Sequence, residues 1–299
     1  MKKPTASQTT IWIARVAWVL LAIVPSTLGD ALADNGRTAQ LTFTTAAWVV
    51  WAMGVVGVAW LSPISLTATR VVAPLALIAQ IVAVVARPDL GSAAVLWPLV
   101  GVALAVAATF AVFLPDYAAT QVQAAAYGAE QRLPLRVPVP QLAPIVLAWT
   151  VTAGLVVVSL FLFAAETWVA AIICGLLTSA LLWLLLPRLH RFSRRWLVVV
   201  PAGVVVHDHV LLAETFMVKR HSVTEVKVVE TPGEALDLSG VARGALIAVT
   251  LREAENLALS PYLSRMLGTL DAVHVRGYAI APTLTGQALA ALTKPPATT

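Results

Sequence analysis

The chain has 299 residues, 59% of them apolar and 12% charged, with a mean hydropathy of +0.85 and a net charge of +5. A water-soluble globular chain is nearer half apolar and a quarter charged, so these values exclude that class and point to an integral membrane protein. The basic excess lies in residues 1–193, with ten Lys/Arg against six Asp/Glu; from Arg194 onward ten basic residues face nine acidic ones, a balance that offers nothing to nucleic acid.

Six stretches reach the roughly 20 apolar residues that a bilayer crossing needs: 11–28, 41–61, 69–86, 93–114, 143–163 and 168–186. Lys2, Lys3, Arg15, Arg70, Arg132, Arg136, Arg188, Arg191, Arg194 and Arg195 fall on one side of these spans, and only Arg37 and Arg87 on the other. That asymmetry predicts cytoplasmic N- and C-termini. Lys2-Lys3, an apolar run and Ala31-Leu32-Ala33 resemble a secretory signal with its cleavage site. Arg15 interrupts the run, and an uncleaved first helix is the expectation. Trp12, Trp60, Trp97, Trp168 and Trp196 fall near span ends, where indole rings favour the headgroup region.

Gly54 with Gly57, and Gly101 with Ala105, are expected on helix-packing seams, and Pro25, Pro74 and Pro98 at tolerated kinks. Arg15 and Arg70 lie close enough to cytoplasmic span ends to anchor there, and Gln80 is expected to make one interhelical hydrogen bond. With no Asp or Glu in mid-span, a pump or ion-coupled transporter has no evident charge carrier. Cys174, the single cysteine, reads as a small residue packed in a helix and can form no disulfide within the chain.

The 115–142 segment divides in two. Residues 116–132, "DYAATQVQAAAYGAEQR", are rich in Ala and Gln and predict a helical extension of the fourth span. "LPLRVPVPQLAP", 133–144, has closely spaced prolines and predicts an extended, semi-rigid spacer.

From Arg194 the pattern changes to period-two alternation: "RWLVVV", "GVVVHDHV", "TFMVKR", "VTEVKVVE", "ALIAVTLR" and "AVHVRGYAIA" each predict a strand. Pro201-Ala202-Gly203, Pro232-Gly233 and Ser239-Gly240 supply turns. Leu284, Ala288, Leu289 and Leu292 recur at helical spacing near the C-terminus. The expected architecture is therefore a six-helix membrane domain, 1–193, followed by a small mainly-β barrel or sandwich with a C-terminal helix, 194–299.

The wording "RRWLVVVPAGVVVHDHVLLAETFMVKR", with the later "APTLTGQALAAL", is similar to the tails of uncharacterised multi-pass membrane proteins of high-GC Gram-positive bacteria. The order of strands and closing helix resembles a pleckstrin-homology-like domain. The resemblance covers roughly residues 194–293 and brings no catalytic residues with it. It implies a bacterial cell (inner) membrane and a cytoplasmic interaction module.

His207 and His209 stand at i and i+2, so on a strand they share a face that Asp208 does not. With His221 as a third ligand they are the candidates for a metal site. Such a site lacks a fourth ligand, and ordinary strand histidines with no metal are the expectation. The collar Arg188, Arg191, Arg194 and Arg195, and the later Lys219, Arg220 and Lys227, are candidates for lipid headgroups. No P-loop, nucleophile elbow, HExxH or dinucleotide fingerprint is present, which points away from an enzyme. The sequence thus predicts a non-catalytic membrane subunit or scaffold, without cofactor, whose partners are membrane lipids and other membrane-protein subunits. The alternative is a transporter or flippase-like protein for an apolar or lipidic solute.

Overall fold

The spacing of apolar runs becomes helix wherever a continuous apolar stretch must satisfy its own backbone hydrogen bonds. The computed structural model describes residues 6–24, 26–86, 95–242 and 244–294. Lys2, Lys3, Pro25, Arg87, Asp89 and the expected start of the fourth span at 93 lie outside them. In chain order come α1 (Ala6–Leu20), short α2 (Ser26–Ala31), α3 (Arg37–Ala59), α4 (Pro63–Val85), α5 (Leu96–Phe113), short α6 (Pro115–Gln123), α7 (Val139–Ala164) and α8 (Trp168–Ser193). Six of these, α1 with the turn that follows it, α3, α4, α5, α7 and α8, are long and apolar enough to cross a membrane. The protein is a multi-pass membrane protein.

Local chemistry sets the helix ends. Ser62 caps α4 by accepting from the Ser65 amide at 3.1 Å, with Pro63 in the first turn. The α7–α8 turn closes with the Thr167 amide on the Leu162 carbonyl and the Glu166 amide on that of Phe163. Glu166 takes the left-handed conformation there, φ 59°, where glycine is usual.

The chain forms two compact units, the first comprising Met1–Thr120 and Val146–Pro187, the second Gln121–Ile145 and Arg188–Thr299. Within the first, small residues lie on the seams as expected. A Cβ on Gly54 would overlap the Trp18 indole, one on Gly57 the Thr69 methyl, and one on Gly101 the Gln80 amide. Trp18 and Trp51 clasp α1 to α3 reciprocally, each indole N–H donating to the other's carbonyl at 2.8 and 3.0 Å. Gln80 makes its interhelical bond, accepting from the Thr27 hydroxyl at 3.2 Å. Arg15 donates to the Val58 carbonyl at 2.9 Å, and Arg70 to that of Val112 at 3.2 Å. Both cations thus serve the carbonyl ends of neighbouring helices, where the helix dipole favours positive charge. Cys174 is buried, its thiol directed at the Leu155 carbonyl of α7 at 3.8 Å.

The second unit holds two four-stranded sheets. The first runs β1 (Gln131–Pro134), β2 (Trp196–Val200), β3 (Gly203–His207), β4 (Phe216–Lys219), all antiparallel. The second comprises β5 (Val223–Val229), β6 (Leu236–Asp237), β7 (Leu246–Ala258) and β8 (Ala272–Ile280), in the order β5-β7-β8-β6, with β6 parallel to β8. Short α9 (Pro261–Leu267) precedes β8, and α10 (Thr285–Thr293) ends the described chain. Leu197, Val199, Val204 and Val206 of one sheet, Ile247, Val249 and Tyr278 of the other, and Ala288 and Leu292 of α10 share one core. The expected mainly-β domain with a C-terminal helix is present as two sheets, without a closed barrel among the described residues.

Two expectations change here. The 133–144 segment is not a spacer throughout, because its first residues form β1, antiparallel to β2 with Arg132 opposite Val198 and Pro134 opposite Trp196. Leu133 and Leu135 enter the core, and the Arg136 amide donates to the Ala281 carbonyl at 2.8 Å. Proline is tolerated because β1 is an edge strand and needs amides on one side only. A boundary at 193/194 therefore leaves out a strand of the second unit. Trp60, Trp97 and Trp168 are exposed at helix ends and Trp12 is exposed in the middle of α1, whereas Trp196 is no interfacial anchor: it lies in β2 and is 6% exposed.

Candidate interaction surface

Alternation along β2 and β3 sends Leu197, Val199, Val204 and Val206 inward, and Trp196, Val198, Val205 and His207 to the opposite face. The antiparallel register sets His207 directly opposite Trp196, and their rings stack with centroids 5.1 Å apart and planes 15° apart. On the other side of Trp196, β1 brings the Arg132 guanidinium over the indole at 5.3 Å, and the Tyr127 ring lies 5.9 Å from the same cation. His209 meets His207 edge-on at 4.4 Å. The result is a continuous ladder, Tyr127–Arg132–Trp196–His207–His209, on the outer face of the first sheet. Met217, opposite Val205, extends it and is 53% exposed; Tyr127 is 83% exposed.

Hydrogen bonds hold the ladder in place. Glu130 pairs with Arg132 at 2.7 Å and accepts from the Tyr127 amide at 2.6 Å. That amide first, and then Arg132, hold its carboxyl below the usual carboxylate range. Gln123 accepts from the Arg132 amide at 2.8 Å. His207 Nδ1 lies 3.1 Å from the Thr215 hydroxyl, and Arg194 reaches Nε2 at 3.5 Å. Burial, followed by the neighbouring His209, Arg194 and Arg132, pushes the His207 imidazole down to about 4. It is therefore neutral near pH 7 and stacks flat on Trp196 without carrying charge.

Asp208, one residue on, turns inward. Its Oδ2 accepts from Arg195 Nε at 2.9 Å and Nη2 at 2.7 Å, and its Oδ1 from the Val210 and Leu211 amides at 3.0 and 3.2 Å. Arg195 also donates to the Arg136 carbonyl. The two side chains are 0% and 1% exposed. This corrects the expectation for Arg195, which is sealed in an ion pair and presents nothing to a lipid headgroup.

The remaining predicted residues separate. His207 and His209 adjoin, but His221 follows β4 beyond Lys219, which pairs with Gly203 at the far end of β3. Four strand residues, roughly 13 Å, already part Gly203 from His207. His221 therefore cannot complete a site with the other two, and no group of three metal-binding side chains occurs among the described residues. Arg188, Arg191, Arg194, Lys219 and Lys227 are exposed. Lys227 pairs with Glu225 at 3.3 Å. Arg220 is turned to the C-terminal end of α10, donating to the Leu292 carbonyl at 3.3 Å and to that of Lys294. Sequence reasoning missed Tyr127, Glu130 and Met217 as surface residues and read Arg132 only as a topology marker. The alternation Arg132-Leu133-Pro134-Leu135-Arg136 was the available signal.

Together the six spans and this surface define a multi-pass membrane protein with a two-sheet domain that displays an aromatic and cationic face. No family model, curated protein or solved structure matches the chain.

Proposed function

We propose that the protein is a non-catalytic integral subunit or scaffold of a larger inner-membrane complex, and that its second unit docks a protein partner through the ladder. The ladder carries this reading. Tyr, Arg and Met are among the side chains enriched where proteins meet. Here Trp196, 6% exposed, supports the face from beneath: with Glu130 it holds Arg132 in place, so little side-chain freedom of Arg132 remains to be lost when a partner meets Tyr127, Arg132, His209 and Met217. A pleckstrin-homology-like assignment belongs to the reading, supported by the two sheets and the terminal helix. So does a cytoplasmic location for this unit in a bacterial cell membrane, supported by the exposed Arg188, Arg191 and Arg194 next to the last span. A transporter or flippase-like role for an apolar solute is the second reading, supported by an apolar groove between α3, α4 and α7.

Native mass spectrometry after mild-detergent extraction tests the docking reading. The expected result is a hetero-complex that Arg132→Ala or Met217→Glu weakens at least tenfold. A lone chain in every gentle extraction overturns it.

A further inference from the structure

The last apolar helix carries an exposed stripe that changes chemistry along its length. In α8, Ile173, Leu177 and Leu184 are 56%, 55% and 52% exposed, and Arg188 and Arg191 follow them at the surface. Steps of four, seven, four and three residues keep all five on one face of a helix. From Trp168 to Pro187 the helix has no charged residue. That stretch rises about 30 Å at 1.5 Å per residue, the depth of a hydrocarbon core. Arg188 and Arg191 then fall within about 6 Å of its end, the thickness of a headgroup layer. The Arg194 amide donates to the Arg191 carbonyl at 3.2 Å, so the turn that ends α8 carries a third exposed arginine. The collar has no acidic residue of its own. No Asp or Glu occurs between Glu166 and Asp208, and Asp208 is closed on Arg195. Among the described residues neither Arg191 nor Arg194 pairs with a carboxylate.

We propose that this face of α8 binds one anionic phospholipid, with its phosphate on Arg188 and Arg191 and an acyl chain along Leu184, Leu177 and Ile173. A planar guanidinium matches phosphate oxygens in pairs, which a lysine ammonium does not. A headgroup of net negative charge is selected, because a choline or ethanolamine cation would meet only further cations. The apolar stripe selects a lipid over free phosphate, since an inorganic ion has nothing to lay along it. Fixing the orientation of the span requires only charge, whereas headgroup binding requires these arginines at this depth and on this stripe. The inference is independent of the docking reading, since it uses no residue of the ladder.

The test uses the full chain in mild detergent with equal amounts of phosphatidylglycerol and phosphatidylcholine. Native mass spectrometry is expected to find one phosphatidylglycerol retained per chain, preferred by roughly an order of magnitude. Arg188→Gln with Arg191→Gln is expected to abolish that preference. Lys219→Gln with Lys227→Gln removes as much charge from other exposed positions and is expected to leave it unchanged. Excess inorganic phosphate is expected not to displace the lipid. A parallel measurement on the unaltered protein needs no variant to fold: a phosphatidylglycerol with a photoactivatable group in its chain is expected to label Leu177 or Leu184. Equal retention of the two lipids, an equal loss in the lysine variant or displacement by phosphate overturns the proposal. Labelling confined to other helices, or a second polypeptide retained in place of the lipid, overturns it as well.

Discussion

His207 and Asp208 are neighbours in the chain and opposites in environment, because successive strand side chains point to opposite faces. Asp208 neutralises Arg195 inside the domain and caps two amides as well. Asp208→Ala leaves a guanidinium buried without its partner, and such losses cost about 3–5 kcal/mol. The expected outcome is a large fall in the melting temperature of the second unit; a loss below about 1 kcal/mol would show that Arg195 reaches water. His207 behaves differently. Its folded value of about 4 lies below the ordinary histidine value near 6.5, so the unfolded chain binds the extra proton first. Its contribution to stability is therefore whole above pH 6.5 and is lost as pH falls towards 4. Thermal melts at pH 7 and pH 4.5 are expected to differ less in His207→Gln than in the unaltered protein. An unchanged difference would mean that other groups set the acid sensitivity.

At the level of elements, β1 decides how the second unit is built. It is only four residues long and sits 62 residues before β2. Without it the inner edge of the first sheet is unpaired and the pockets for Leu133 and Leu135 are empty. Loss of a buried leucine costs about 2–5 kcal/mol, comparable with the whole margin of a small domain. A fragment of residues 188–299 is therefore expected to aggregate or to melt without cooperativity, and a synthetic peptide of residues 129–138 is expected to restore a cooperative β-type transition. A fragment that folds equally well without the peptide would show β1 to be an accessory. The prolines that make 133–144 look like a spacer also explain why the strand stops at Pro134. An edge strand tolerates a missing amide, whereas a central strand does not.

For the whole molecule, the orientation proposed above leads to a direct measurement. Asn35→Cys, in the turn between α2 and α3, is expected to react with a membrane-impermeant maleimide in intact cells, and the exposed Glu230→Cys after β5 is expected to react only after lysis. Cys174 is buried and contributes little background. The reverse pattern would invert the protein in its membrane. Six apolar runs sufficed to locate six helices, because crossing a bilayer is a local demand that each segment meets with its own hydrogen bonds. Period-two alternation likewise revealed β2, β3, β4, β5, β7 and β8, and helical spacing revealed α10, since each is a property of adjacent residues. What escaped depended on distance along the chain. Arg132 reads as a membrane collar until β1 lays it over Trp196, and Arg195 as a headgroup ligand until Asp208 closes on it. The ladder and the groove exist only where strands or helices far apart in sequence come side by side, and that juxtaposition, set by long-range packing, was decided by the tertiary structure alone.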